Sequence, residues 1–341
     1  MSLNNIQIPG FAFKALPDWG PFDFLLFLWN SVCEAFMVDC LADGTISYNL
    51  KSCMMNSLRT LAASIVLILL VTGADAQTRV TSGPDKGTLL VIGGNADDSL
   101  FLPVFKELVG DPDAPIVVIP TARGGDNIAT ERFEALQKKR FERFGFTDVT
   151  ILHTRDREDS NDPSFVAPLR EAAGVWFMGG RQWRLTDSYY NTLAHQEMNR
   201  LLERGGVIAG SSAGATIQGS YLARGDTKAN TIMMGDHEKG LGFISNIAID
   251  QHLLARNRHF DMFEILRYKP HLLGLGLDEN TGIVVEGDTF RVTGESYVAV
   301  YDGSRWSAER DTTYQLSNDR EQFYFLHQGQ RYDMKKRQVL H

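Results

Sequence analysis

Residues 205–215 read Gly-Gly-Val-Ile-Ala-Gly-Ser-Ser-Ala-Gly-Ala, an apolar run ending in small residues around Ser212. A buried strand that turns sharply into a helix exposes the hydroxyl at the turn, and only small neighbours let strand and helix approach that closely. The spacing predicts a nucleophile elbow with Ser212 at its tip and a helix from Ala213, whose N–H then faces a developing oxyanion. The same composition suits a phosphate-binding turn at a helix N-terminus, so the serine needs corroboration from a base. His252 closes the run Ile247-Ala-Ile-Asp-Gln-His and falls at a predicted strand end, where the elbow also emerges. Arg256 and Arg258 follow it and supply guanidinium groups suited to a carboxylate or a polarised carbonyl. A hydrogen-bonded structural histidine fits that position equally well. An imidazole base also needs a carboxylate to hold its tautomer. The run Leu273-Gly-Leu-Gly-Leu ends in Asp278 and Glu279, while Asp226 and Asp250 compete for the role, and residue chemistry leaves the choice open. Met178-Gly-Gly-Arg-Gln closes another apolar run, offering the Gly180 N–H as a second oxyanion donor and Gln182 as a substrate contact, although an ordinary glycine turn reads the same way.

These residues need elements to hold them. Short apolar runs at Thr88–Ile92, Ile116–Ile119, Val149–Leu152, Val175–Met178 and Gly206–Ala209 lack alternation, which predicts strands buried on both faces of a parallel sheet. Residues 126–144 and 185–204 carry apolar side chains at helical spacing between them. Strands alternating with helices predict an α/β fold, a doubly wound, mostly parallel sheet with its chemistry at the carboxyl ends of the strands. Beyond residue 280 the pattern changes to short strands separated by Gly and Asp turns, which predicts a C-terminal antiparallel β extension on the sheet edge. With no linker between them, residues 85–341 are expected to form one domain.

Gly-Gly-x-Gln (179–182), Ser-Ala-Gly-Ala (212–215), Asp-Gln-His (250–252) followed by Arg-x-Arg (256–258), and Gly-x-Asp-Glu (276–279) stand in the order found in cyanophycinases. The chain resembles that family, and more generally the dipeptidase E peptidases (serine peptidase family S51), over about residues 86–335. The resemblance implies a class I glutamine-amidotransferase-like three-layer sandwich without a cofactor. It implies a triad of Ser212, His252 and Glu279, an oxyanion hole from Gly180 and Ala213, and a substrate pocket with Gln182, Asp250, Gln251, Arg256 and Arg258. The dipeptidase branch places an aspartate soon after the serine, which keeps Asp226 as an alternative triad acid. Cyanophycinases cut β-aspartyl-arginine dipeptides from a storage polymer. This chain departs from their pattern at Asp261, where the family has a third arginine, and at Lys228, where it tends to have an acid. Both departures reverse a charge.

Composition narrows the remaining classes. The formal net charge of -8 gives no basic excess, so nucleic acid is not an expected partner. The three cysteines, Cys33, Cys40 and Cys53, all precede the predicted domain, which excludes cysteine nucleophiles and thiolate metal sites from it. Arg59, the apolar run Leu61–Val71 and Ala74-Asp75-Ala76 form the three parts of a secretory signal peptide at 54–76, cleaved after Ala76. Residues 1–53 then read as a non-native or mis-assigned extension. The expected protein is a secreted or periplasmic serine exopeptidase or dipeptidase without a membrane anchor after cleavage, acting on a peptide or isopeptide, with a homodimer as one option for its assembly. The rivals are an amidase using the same site and a non-catalytic binding module on the same fold. Asp236-His237-Glu238 is the one cluster suggestive of a metal, and it reads as a solvated loop because no second histidine stands at ligand spacing.

Overall fold

Apolar and β-branched residues form five parallel strands: β1 (Thr88–Ile92), β2 (Ile116–Ile119), β3 (Val149–Ile151), β4 (Gly174–Phe177) and β5 (Val207–Ser211). They pair in the order β3-β2-β4-β5-β1. The computed structural model describes residues 80–303, 307–309, 313–315 and 323–341. The expected extension at 1–53, the signal peptide at 54–76 and the three cysteines lie outside these residues. Strand pleating sends alternate side chains to opposite faces. Leu90, Ile92, Val118 and Trp176 meet Phe101 and Phe105 of α1 (Asp98–Val109) and Phe141 of α2 (Glu131–Glu142) on one face. Leu89, Val91, Val175 and Ile208 meet Leu169 of α3 (Ala167–Glu171), Leu185 of α4 (Gln182–Tyr189) and Met198 of α5 (Leu193–Glu203) on the other. Helices on both faces explain the unbroken apolar runs.

The predicted helix over 185–204 is two helices. Asn191 takes a left-handed φ of 56°, and the Thr192 hydroxyl then caps α5 by accepting the His195 N–H. Thr130 likewise starts α2 after a short 3-10 turn at Asp126–Ala129.

Downstream of the elbow helix α6 (Ala213–Thr216), the chain builds a second sheet. Strands β6 (Gly219–Tyr221), β7 (Ile244–Gln251) and β8 (Leu273–Leu277) pair in parallel. The helix α7 (Met262–Tyr268) connects β7 to β8 and covers the outer face through Met262, Ile265 and Leu266. Strands β9 (Thr281–Glu286) and β10 (Thr289–Gly294) return antiparallel to the first sheet beside β1. Strand β11 (Val298–Asp302) pairs with β8, and a hairpin of β12 (Ser307–Glu309) and β13 (Thr313–Gln315) follows. Strand β14 (Phe323–Leu326) completes the second sheet, and β15 (Arg331–Asp333) with β16 (Gln338–Leu340) extends the first. The antiparallel extension therefore lies on the sheet edge as expected, and part of it also builds the second sheet. Ile247, Ile249, Leu275 and Val300 of that sheet share one core with Leu89, Val91 and Ile208 of the first. The described residues belong to one compact unit, and none of their helices is long and apolar enough to cross a membrane.

Candidate active site

Ser212 sits between β5 and α6 with φ 58° and ψ -112°, a strained conformation for a residue with a side chain. The turn closes only because two glycines face each other. A Cβ on Gly210 would lie 2.2 Å from the Gly214 carbonyl oxygen, and one on Gly214 would lie 2.4 Å from that of Phe177. The conformation aims the Ser212 hydroxyl at His252, with Oγ 2.9 Å from Nε2. On the opposite edge of the imidazole, Nδ1 lies 2.6 Å from Oε1 of Glu279.

The last residue of β1 and the two glycines that follow it align all three. The Ser212 N–H donates to the Ile92 carbonyl at 2.9 Å, the His252 N–H to Gly93 at 2.8 Å and the Asn280 N–H to Gly94 at 2.9 Å. A central strand end thus ties together one turn from each of three distant segments. Gly94 also lies against the imidazole: a Cβ there would come within 2.2 Å of His252 Cε1. The contact of Gly94 with a histidine far along the chain leaves no local signal in the sequence.

Burial holds the His252 imidazole below the ordinary histidine range. The Glu279 hydrogen bond and charge pull it upward, while Arg256 and Arg258 push it further down. The balance favours a neutral ring at neutral pH, the form able to accept a proton. Arg256 Nε lies 4.0 Å from Glu279 Oε1.

The other candidate acids have different employment. Asp278 accepts the N–H groups of Leu254 and Ala255 at 2.9 and 3.0 Å, and the Ser296 hydroxyl at 2.6 Å, fixing the turn after His252. Asp226 accepts the N–H groups of Lys228 and Ala229 at 2.8 and 2.9 Å, and nothing among the described residues joins it to His252. Asp250 is buried and receives a bidentate pair from buried Arg224, Nε at 2.7 Å and Nη2 at 2.9 Å. The same guanidinium bonds Asp261. Burial acts to lower the Arg224 pKa, and the two carboxylates outweigh it, so the net direction is upward. Arg224 was not singled out in the sequence, because its two partners come from separate segments. Asp261, the position of the charge reversal, thus shares this guanidinium with Asp250.

A cavity of about 460 Å³ opens over Ser212 and His252, lined also by Arg123, Gly179, Gly180, Asn230 and Arg256. The N–H groups of Gly180 and Ala213 donate to no protein acceptor among the described residues. Of the residues expected at the substrate pocket, Arg256 lines this cavity, whereas Gln182, Asp250, Gln251 and Arg258 lie buried behind it. Gln182 Nε2 donates to the carbonyls of Ala223 and Arg224 at 2.7 and 2.9 Å. Arg258 donates to the Gln251 carbonyl at 2.9 Å and to its side-chain oxygen. Arg258 thereby braces the strand end that precedes His252, while Gln182 braces the segment after β6. Arg123 and Asn230 were missed in the sequence, since both lie on loops remote from the motifs. In the Asp236-His237-Glu238 cluster, His237 lies 2.7 Å from Asp187 and 3.0 Å from Asp236; burial acts to lower its pKa, and the two carboxylates raise it overall.

The chain is similar to known proteins over the same region. A family model described as peptidase family S51 matches residues 89–293. A cyanophycinase of Synechococcus elongatus is 30% identical over 268 residues, covering 75% of this chain and 82% of the relative. A cyanophycinase of a Nostoc species is 34% identical over 226 residues, covering 64% and 74%. Among solved structures, a peptidase from an acI-B1 actinobacterium aligns with a TM-score of 0.55 at 25% identity, covering 74% of this chain and 98% of that one.

Proposed function

The chain belongs to peptidase family S51 and is a serine-type peptidase, and from that premise we propose that it is an exopeptidase or dipeptidase cutting aspartyl or β-aspartyl peptides through Ser212, His252 and Glu279. The observation that carries this reading is the continuous relay from Ser212 Oγ through the imidazole to Glu279, at 2.9 and 2.6 Å, on the wall of a cavity. Ser212 Oγ attacks the scissile carbonyl and its proton passes to His252 Nε2. Glu279 holds the Nδ1 proton and stabilises the imidazolium. The N–H groups of Gly180 and Ala213 receive the oxyanion. Collapse breaks the C–N bond as His252 returns the proton to the leaving amine, and water activated by the same imidazole hydrolyses the acyl-enzyme.

The cyanophycinase relatives support β-aspartyl-arginine as the first substrate to try. The pairing of Asp261 with Arg224, which it shares with Asp250, weakens one objection to an anionic substrate, because that carboxylate does not stand as a lone negative charge. The decisive experiment measures hydrolysis of β-aspartyl-arginine and of α-aspartyl dipeptides by the wild type and by Ser212→Ala. The expected result is turnover that the substitution reduces on the order of 10⁶-fold in kcat. Turnover that persists in Ser212→Ala sinks the serine assignment, and binding without turnover in the wild type favours a binding module. We further propose secretion with cleavage after Ala76, which N-terminal sequencing from a secreting host tests: a mature chain beginning elsewhere than Gln77 rejects it.

A further inference from the structure

A second cavity, of about 560 Å³, lies beside the first and shares Gly179 and Arg123 with it. Its wall includes Trp176 and Met178 at the end of β4 and Ser211 next to the nucleophile turn. Most of its charges are already matched. Arg140 clamps Asp98 with Nε at 3.0 and 2.8 Å from the two carboxylate oxygens. Asp97 caps α1, accepting the Ser99 N–H and hydroxyl at 2.7 Å each. Arg123 is different: it is exposed, and its guanidinium lies 5.9 Å from the centre of the Phe133 ring but has no hydrogen bond or ion pair among the described residues. Its backbone is nonetheless fixed, with its N–H on the Pro120 carbonyl at 2.8 Å and its own carbonyl receiving Arg155 Nη2 at 3.3 Å. Gln137 also lines the cavity, with its side-chain Oε1 shielded from it. Arg256, the other arginine near the nucleophile, lines only the first cavity and is drawn to Glu279.

A guanidinium without an ion pair at the junction of two cavities is suited to a carboxylate attached to a peptide. We propose that the second cavity is a substrate subsite and that Arg123 is its specificity-determining residue, binding the free C-terminal carboxylate of the peptide. This deepens the exopeptidase reading and rests on it. Recognition of a free terminus is what separates an exopeptidase from an endopeptidase, and Arg123 provides it without touching the reacting atoms.

The test uses β-aspartyl-arginine and an α-aspartyl dipeptide, each as the free acid and as its C-terminal amide. Binding of each to the Ser212→Ala protein is measured by titration calorimetry, with Arg123 intact and with Arg123→Gln. The expected result is that the acid binds roughly tenfold more tightly than the amide, and that Arg123→Gln abolishes this preference while leaving the amide unchanged. In the protein with Ser212 intact, Arg123→Gln should raise KM for the free acid with kcat unchanged. An acid-to-amide ratio that ignores Arg123, an equal weakening of both, or no binding of either overturns the proposal. The two readings fail separately. Hydrolysis without an Arg123-dependent preference rejects the subsite alone, whereas an Arg123-dependent preference without hydrolysis rejects the peptidase substrate assignment alone.

Discussion

The His252 imidazole is held below the ordinary histidine range chiefly by burial, and Glu279 opposes that depression. A general base works only when deprotonated, so activity survives acidification until pH falls through the depressed pKa. The acid limb of kcat/KM is therefore expected below about pH 6.5, the unperturbed histidine value. A limb at or above that value contradicts the environment described. Glu279→Gln removes the group that raises the histidine pKa, so the limb should move to still lower pH. The same substitution releases the Nδ1 tautomer and should lower kcat on the order of 10⁴-fold. Matched pH–rate profiles of the two proteins check both effects. An unchanged kcat in Glu279→Gln would return attention to Asp278 or Asp226, both of which are held in turns here.

At the scale of elements, the site depends on how closely backbone segments meet. Gly94 has φ 126° and no room for a methyl group beneath the imidazole. Gly94→Ala should displace His252 and remove most activity while far-UV circular dichroism stays native. Full activity in that variant would mean that the β1 terminus does not position the base. Gly214→Ala drives a methyl group into the Phe177 carbonyl and should cost about 1–3 kcal/mol through overpacking. Urea unfolding measures it. Arg224 ties the end of β7 to the segments following β6 and preceding α7 through Asp250 and Asp261. Arg224→Met leaves the Asp250 carboxylate buried without its main partner, and the expected cost is about 3–5 kcal/mol. Combining it with Asp250→Leu should recover most of that loss. If the double variant is as unstable as the single, the penalty does not come from the stranded charge.

The two sheets share one hydrophobic core through residues such as Leu89, Ile208, Ile249 and Val300. Neither sheet buries its inner face without the other, so residues from about 80 onward should unfold together. Coincident transitions by circular dichroism and tryptophan fluorescence are expected. Separated midpoints would show that the second sheet is an independent unit.

The parallel strands were legible in the sequence because a strand buried on both faces must be apolar along its buried length, as β2 and β4 are throughout, β1 is after Thr88 and β5 is before Ser211. The elbow was legible because its close backbone contacts demand glycine and alanine at fixed positions next to Ser212. The edge strands beyond residue 280 were legible from their turns. What the sequence left open was long-range. The choice between Asp278 and Glu279 depends on which side of the turn each carboxylate faces, and neighbours in sequence carry no record of that. The second sheet was hidden because β6, β7 and β8 pair across long connections. Arg224 gave no signal because a buried cation resembles a surface one until its carboxylates are brought to it. Local periodicity determined the strands and the nucleophile turn, while packing between distant segments decided which histidine, acid and arginine meet there.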